Sequence, residues 1–459
     1  MHRGCTSPVH HTIVLPAFPR GFFSGFVTLL DNVTHALAGM LMADATTSLV
    51  AARSGTTVPD RFRRAAVVVG IAAAELPDLD VFYAGSILRM GPLGYLLHHR
   101  GHTHTIVWAV IGALLLWAGG RWWFTRGAVD DERRWFVTHG SRALLWLALV
   151  GALSHLALDF TNSYGVHPFW PFDDRWYYGD AVFIVEPWLW VVAIPALLWR
   201  PRATAGRVIL ALLLLVILVA AWRIGEVARA VAMTLSVCAV VWLFVQRRLS
   251  NAARTASGVG AWLMVTMLFF VASHAAEALV TKAVDRMTPG ALADVVLTPA
   301  AGDPTCWSAM AVSTDGVSYR LSTAAIAPYP RVRTVMDCQQ AYPSARLQAD
   351  ALQVLPESSP VVPFDSSTSV RWNRTWVKTR SEFTGLANER CEVMGALRFM
   401  RTPVWTATPD GTLQMSDARY GVGGGFASMT LRGSPLDCTL THAWVPPWVP
   451  PRQDMLLVD

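Results

Sequence analysis

The sequence predicts a mainly α-helical protein, a polytopic membrane helical bundle of about eight spans, some of them partial, followed by a β-rich soluble C-terminal domain. Three observations predict it. The 459 residues are 53% hydrophobic and only 15% charged, against roughly 25% charged in an ordinary soluble domain, and mean hydropathy is +0.36. Residues 33–280 hold nearly all the long apolar runs. Residues 285–459 are mixed and rich in Ser, Thr, Pro and Asp, the composition of a soluble domain.

The apolar segments fall at about 33–50, 65–82, 104–120, 142–160, 181–199, 207–222, 228–246 and 259–280, several at the short end for a span. The first two are the weakest, because polar residues enter their ends in DNVTHALAGMLMADA and IAAAELPDLD. Polar residues in a span are costly and face a bundle interior or a water-filled cavity. The organisation expected is a metal-site helical domain over 31–200, additional membrane helices over 201–284 and an extracytoplasmic β-rich domain over 285–459. Residues 1–30 do not form a clean signal peptide, since two prolines break the apolar part and no A-x-A site follows. The working chain is expected to begin near Asp31.

Orientation follows from charge. The net charge is +6, and arginines cluster in short loops, RSGTTVPDRFRR at 53–64, DDERR at 130–134, RPRATAGR at 200–207 and QRRLSNAAR at 246–254. This is the arginine bias of cytoplasmic loops, not the continuous basic surface of a nucleic-acid partner. The opposite side then holds connections 83–103 and 161–180 and the tail. Cys306, Cys338, Cys391 and Cys438 all lie in that tail, where four spaced cysteines fit disulfides in an oxidising compartment. Three pairings are possible. Arginine bias and cysteine usage give one topology, that of a multi-pass bacterial inner-membrane protein. RIGEVAR at 223–229, with two arginines on the outer side, fits it least well.

Under this topology the unusual polar groups gather on the outer face. They are His35, Glu75, Asp78, Asp80, His98, His99, His102, His104, His155 and Asp159, with Asn162 and His167 in the adjacent loop. His155 and Asp159 are i,i+4 and share a helix face, as ligands do in HExxH. His99 and His104 flank a glycine where a loop runs into a helix start. Pro77 interrupts a helix and aims Asp78 and Asp80 at a shared site. Mixed His and Asp ligands fit a divalent metal, zinc first, with manganese or iron as other occupants. The expected ligands are His35, Asp78, Asp80, His99, His104, His155 and Asp159, enough for one to three ions. His274 and Glu277 read as a structural pair.

DNVTHALAG, LPDLD, HHRGHTHT and SHLALDFTNSYGVHPFWPF, in that order, resemble the membrane-bound metal-dependent hydrolases of the YdjM/YfhP (DUF457) type over roughly residues 31–200. Members begin with Met-Asp-x-x-Thr-His, in keeping with a start near Asp31. The family pattern HRG-x-THS corresponds to His99 through Thr105, so His102 falls at the variable position. RFMRTPVW and DARYG in the tail also look like the soluble end of members. The resemblance implies, through a distant similarity to zinc-dependent phospholipase C and P1 nuclease, hydrolysis of phosphoesters. Where members often carry Asp-Pro, this chain has Glu186-Pro187.

The tail reads as mostly β, with RTWVKTRSEF and FMRTPVWTAT partly alternating. TPDGT at 408–412 predicts a hairpin turn between VWTA and LQMSDA. GVGGGF at 421–426 is a bulge or loop, and PPWVPP an extended segment. The tail is expected to cover the outer cavity or serve as a docking domain. The aromatic loop NSYGVHPFWPFDDRWYYGD reads as an interfacial belt, or as a holder for an acyl chain or headgroup.

The leading expectation is an inner-membrane hydrolase, its water activated by metal, acting on a lipid-linked or membrane-adjacent phosphoester. Glu75 or Glu186 would be the general base, and Arg100 would bind phosphate through its fork of donors. The alternative is a non-catalytic membrane protein with a structural or transported metal, and a third reading is an interaction scaffold built on the tail. The sequence leaves oligomeric state open.

Overall fold

The computed structural model describes residues 20–81, 91–200, 203–288, 290–342, 351–360, 367–408, 410–423, 427–431 and 450–457. Most of the 1–30 leader, Cys438 and most of PPWVPP lie outside them.

Helix α1 (Arg20–Ser54) turns back into α2 (Asp60–Glu75), which stops at a 3-10 turn over Pro77–Leu79. Short α3 (Gly91–His98) and a second 3-10 turn, His102–His104, lead into α4 (Ile106–Gly127). Helix α5 (Asp130–Phe160) runs through a π-turn at Phe136–Gly140. After an irregular connection come α6 (Pro187–Leu198), α7 (Thr204–Arg223), α8 (Arg229–Arg248) and α9 (Asn251–Met287).

Among the described residues five helices, α4, α5, α7, α8 and α9, are long and apolar enough to cross a membrane, by length and composition. The other three expected segments fall in α1, α2 and α6. Helix α1 is long, but Asp31, His35 and Asp44 interrupt its apolar character. Each is turned largely inward, which is why the hydropathy signal is weak there. The expected span at 181–199 is corrected to a 12-residue helix. At 1.5 Å per residue it reaches about 18 Å, well short of a hydrocarbon core of about 30 Å. Almost all of it is buried against α1, α8 and α9, so it is an interior half-span.

Helices α1, α2 and α5 approach through small residues. A Cβ on Gly39 would lie 2.4 Å from the Gly70 carbonyl oxygen, and one on Gly151 2.7 Å from the Ala73 Cβ. Backbones that meet this closely bring the polar ends of three helices together, the use of small residues familiar in membrane bundles. At the opposite end of the bundle, Arg200 pairs with Asp44 (3.3 Å) and donates to Ser48 and Thr255, joining α1, α6 and α9.

The tail begins with a five-stranded antiparallel sheet in the order β1-β2-β3-β5-β4, where β1 is Leu292–Ala300, β2 Asp303–Thr314, β3 Ser318–Ile326, β4 Ser359–Pro360 and β5 Val370–Thr379. A second sheet holds β6 (Pro403–Ala407), β7 (Leu413–Asp417) and β8 (Ser428–Thr430). The β6–β7 hairpin pairs Ala407 with Leu413 across the turn expected at 408–412. RTWVKTRSEF departs from the β reading halfway. The strand ends at Thr379, where Thr379 and Glu382 form a reciprocal capping box that starts a helix, Arg380–Glu389, a T-x-x-E signature present in the sequence. Cys306 and Cys338 form a disulfide, and Cys391 is also disulfide-bonded.

The first sheet rests on the bundle. Strands β1 and β2 contact α9, and Trp307 packs near Phe269. In the tail, burial alone would raise the Asp294 carboxyl, but Arg401 and Arg452 outweigh it and hold it below the usual carboxylate range.

Replacing Gly70 by Leu is expected to cost about 1–3 kcal/mol of stability through overpacking at the α1–α2 contact. Gly119→Ala, with nothing within 4 Å of the new methyl group, is expected to be near neutral. Thermal unfolding in detergent, followed by circular dichroism, compares the two.

Candidate metal centre

Four chain segments deliver the site. Asp31 and His35 lie one turn apart on α1, and His155 and Asp159 one turn apart on α5. Asp78 and Asp80 sit at the 3-10 turn that Pro77 opens after α2. His99 through His104 form the link between α3 and α4, where Thr105 caps α4 by accepting from the Trp108 amide. His35, Asp80, His104, His155 and Asp159 are each almost fully buried.

The centre of the cluster is four donor atoms. His104 Nε2 and His155 Nε2 are 3.2 Å apart. Asp78 Oδ1 lies 3.3 and 3.4 Å from them, and Asp159 Oδ2 3.1 and 3.3 Å. A tetrahedral ion with ligand bonds of about 2.0–2.1 Å has ligand atoms about 3.3–3.4 Å apart. The five spacings that involve an imidazole, 3.1–3.4 Å, are close to that figure.

Hydrogen bonding around the four atoms points the same way. His155 Nδ1 donates to the Ala74 carbonyl at 2.5 Å; a carbonyl only accepts, so Nε2 is the ring atom directed into the cluster. His104 Nδ1 faces Asp80 Oδ2 at 3.1 Å, the carboxylate–histidine arrangement that fixes a ligand's tautomer. Asp159 Oδ2 is buried without a hydrogen-bond donor. Asp31, Asp78, Asp80 and Asp159 are gathered around one guanidinium, Arg100, and the ring nitrogens of the histidines. Two imidazoles and two carboxylates converging on one position are a donor set that fits a divalent cation.

The remaining expected ligands take distinct places. Asp80 is a hub: it accepts from His99 Nδ1 (3.0 Å), the Arg100 amide (2.8 Å) and the Thr103 hydroxyl (2.7 Å) besides facing His104. Asp78, Asp80 and His99 still form a second possible donor group, and Asp31, His35 and Asp159 a third. In the third, His35 stacks on His155 at 3.9 Å and its Nε2 lies 3.5 Å from Asp159 Oδ1. Arg100 competes for that position, since its NH2 is 2.6 Å from the same oxygen. The four-donor group therefore offers the best single position.

Two catalytic expectations are corrected. Arg100 does not present an open fork to a phosphate. It is buried, at φ 59°, with Asp159, Asn162 and the Gly165 carbonyl around its nitrogens and the Tyr164 ring 4.3 Å beneath. Its role is to balance Asp159. Glu186 is not aimed at the cluster as a base. Its two oxygens accept from the Trp188 amide (3.1 Å) and the Gly302 amide (3.1 Å), so it caps α6 and fastens the β1–β2 turn. Glu75, at the end of α2, keeps one buried carboxylate oxygen without a hydrogen-bond partner. His102 is half-exposed beside the cluster, and His274 with Glu277 forms a surface pair on α9. Burial pushes the His167 imidazole down to about 4.

Asp31 is the residue that reading for ligands missed. Its signal was the i,i+4 spacing to His35, the same spacing that singled out His155 and Asp159.

Apolar helices enclosing a buried His/Asp cluster that could hold a metal ion define a polytopic membrane protein with a candidate metal centre at one end of its bundle. The YdjM inner membrane protein family matches residues 30–228. The inner membrane protein YbcI of Escherichia coli (strain K12) is 33% identical over 142 residues, 30% of this chain and 68% of that protein. The chain belongs to the YdjM inner membrane protein family and is a multi-pass inner-membrane protein. No solved structure matches it.

Elemental analysis of detergent-purified protein tests the donor set. His155→Ala/Asp159→Ala is expected to abolish bound zinc. Asp80→Asn is expected to weaken it by about 10–100-fold, the usual effect of losing a ligand's orienting partner. Glu186→Gln is expected to leave zinc content unchanged.

Proposed function

We propose that this protein is a metal-dependent hydrolase of the inner membrane, acting from the extracytoplasmic side on a phosphoester of a lipid-like or membrane-adjacent substrate. The observation that carries the proposal is the convergence of four donor atoms, one each from His104, His155, Asp78 and Asp159, at spacings close to those of a tetrahedral ion's ligands. His104, His155, Asp78 and Asp159 would hold the ion, zinc being the occupant that suits two imidazoles and two carboxylates. Bound there, a divalent cation supplies Lewis-acid activation of water and of a phosphoryl oxygen near neutral pH.

The chain's own residues set the conditions. Asp80 and the Ala74 carbonyl hold the two imidazoles in one tautomer. Arg100 holds one oxygen of Asp159 and so aims the other at the imidazoles. Glu75 is the candidate base, having a carboxylate oxygen free to take a proton. Among the cluster side chains Asp31 (15%) and Asp78 (12%) show the most surface, and Leu79 beside them is 47% exposed. Approach is thus past an apolar lip, which supports a substrate with an apolar part.

Sidedness rests on charge and redox chemistry. The helix ends opposite the cluster carry Arg53, Arg61, Arg63, Arg64, Arg133 and Arg134, the cytoplasmic signature. The disulfide-bearing tail sits at the cluster's end, in keeping with an oxidising compartment.

A second reading is a structural metal. Four protein donors around one position resemble a closed structural site, whereas catalytic zinc keeps a position open. Turnover separates the two. Zinc-loaded protein in mixed micelles is expected to hydrolyse phosphodiester lipids, to stop on chelation and to recover with zinc. Glu75→Gln is expected to keep its zinc and lose about 10²–10⁴ in kcat, the range for a general base. Full zinc occupancy with no turnover on any phosphoester would leave the structural reading.

A further inference from the structure

The turn that follows α5 touches both the cluster and the tail. Asp159 can direct Oδ2 at the two imidazoles because Arg100 holds its other oxygen, at 2.6 Å. Arg100 in turn depends on what that turn supplies. Its NH1 lies 3.4 Å from the Asp159 carbonyl, 3.4 Å from Asn162 Oδ1 and 3.2 Å from the Gly165 carbonyl, and the Tyr164 ring lies beneath its guanidinium. Arg100 Nε is buried without a hydrogen-bond partner. A residue at positive φ and incompletely bonded keeps its geometry only where its surroundings impose it.

The tail imposes it from the far side. Arg419 donates to the Ser163 carbonyl at 2.5 Å. Phe399 and Tyr420 pack on Tyr164, with ring centroids 4.8 and 6.0 Å away. Arg419 is itself locked. It pairs with Asp417 through Nε and NH2, donates to the Phe399 carbonyl and is almost fully buried. Asp417 also receives the Thr402 hydroxyl and the Arg401 amide. Arg401 then grips Asp180, both oxygens at 2.9 Å, at the far end of the same connection. These contacts come from Arg398–Trp405 and Asp417–Gly421, which lie outside residues 30–228 matched by the family.

We propose that Arg419 and Tyr164 are positioning residues through which the docked tail domain sets the metal affinity of the membrane site, by holding Arg100 and hence Asp159. The tail then completes the site, and undocking it loosens the ion. The inference rests on the metal reading above.

The test uses full-length protein in detergent, with zinc affinity measured by competition against a chromogenic chelator and apo-protein thermal midpoints measured alongside. Tyr164→Ala and Arg419→Met are each expected to weaken zinc by about 10-fold or more, within the range for residues that orient ligands. Arg419→Lys, which keeps a donor toward Ser163, is expected to recover part of the loss. Arg374→Met breaks hydrogen bonds to Ser358 at the other edge of the tail and is expected to bind zinc as wild type does. Should Arg419→Met fail to fold, Tyr164→Ala, which leaves the tail's own ion pairs intact, decides alone. Wild-type affinity in folded Tyr164→Ala overturns the inference while leaving the metal site standing. Absence of zinc from the wild-type protein overturns the metal reading itself.

Discussion

Buried negative charge at one end of a helical bundle is the constraint on which the rest of this structure depends. Four aspartates converge where α2 and α5 end beside the interior of α1, and one arginine stands against them. Each carboxylate is affordable in that setting only if something positive meets it. Arg100 meets Asp159, imidazole N–H groups meet Asp80, and the gap between His104, His155, Asp78 and Asp159 has the dimensions of a cation. Nearby features follow from that need. Arg100 adopts φ 59° to put its amide on Asp80 and its guanidinium on Asp159, and Thr103 turns its hydroxyl to the same Asp80.

The bundle is built to bring those charges together. Gly39, Gly70 and Gly151 let three backbones touch in the membrane region, so the polar termini above them meet instead of splaying. Lipid gives no hydrophobic drive for helices to associate, and close packing of small residues supplies the attraction. Helix α6 is short, beginning at Pro187 with Glu186 as its cap and ending at Leu198. That leaves the connection 161–186 to fold as an irregular layer between bundle and tail, which is where the tail takes hold.

The i,i+4 pairing of His155 with Asp159, the Pro77 break and the histidine run before α4 were legible in the sequence because each is a local pattern with a local cause. The same reasoning reached His104 and Asp78, which the fold brings together at one end of the bundle. It did not separate ligand from orienter. Asp78 and Asp80 are two residues apart and chemically identical, yet one faces the two Nε2 atoms and the other gathers Nδ1 and backbone donors. A turn of 3-10 helix swings them to different sides, and no periodicity encodes that. Asp31 escaped for the opposite reason, since its spacing to His35 was visible but lay in the weakest apolar segment.

Composition and arginine placement by themselves determined that this chain is a membrane bundle with a separate tail, because burial in lipid and the charge bias of loops act residue by residue. Family membership and the identity of the polar groups at one end were carried by short contiguous motifs. Tertiary structure alone decided what those groups do to one another. Glu186 became a cap for α6 and a tether for Gly302, across 116 residues of sequence. Arg100 turned inward to Asp159, and Arg419 reached Ser163 from 256 residues away. Such contacts depend on which helix ends and which strand turns arrive at one place, a property of the packed fold that no local stretch of sequence contains.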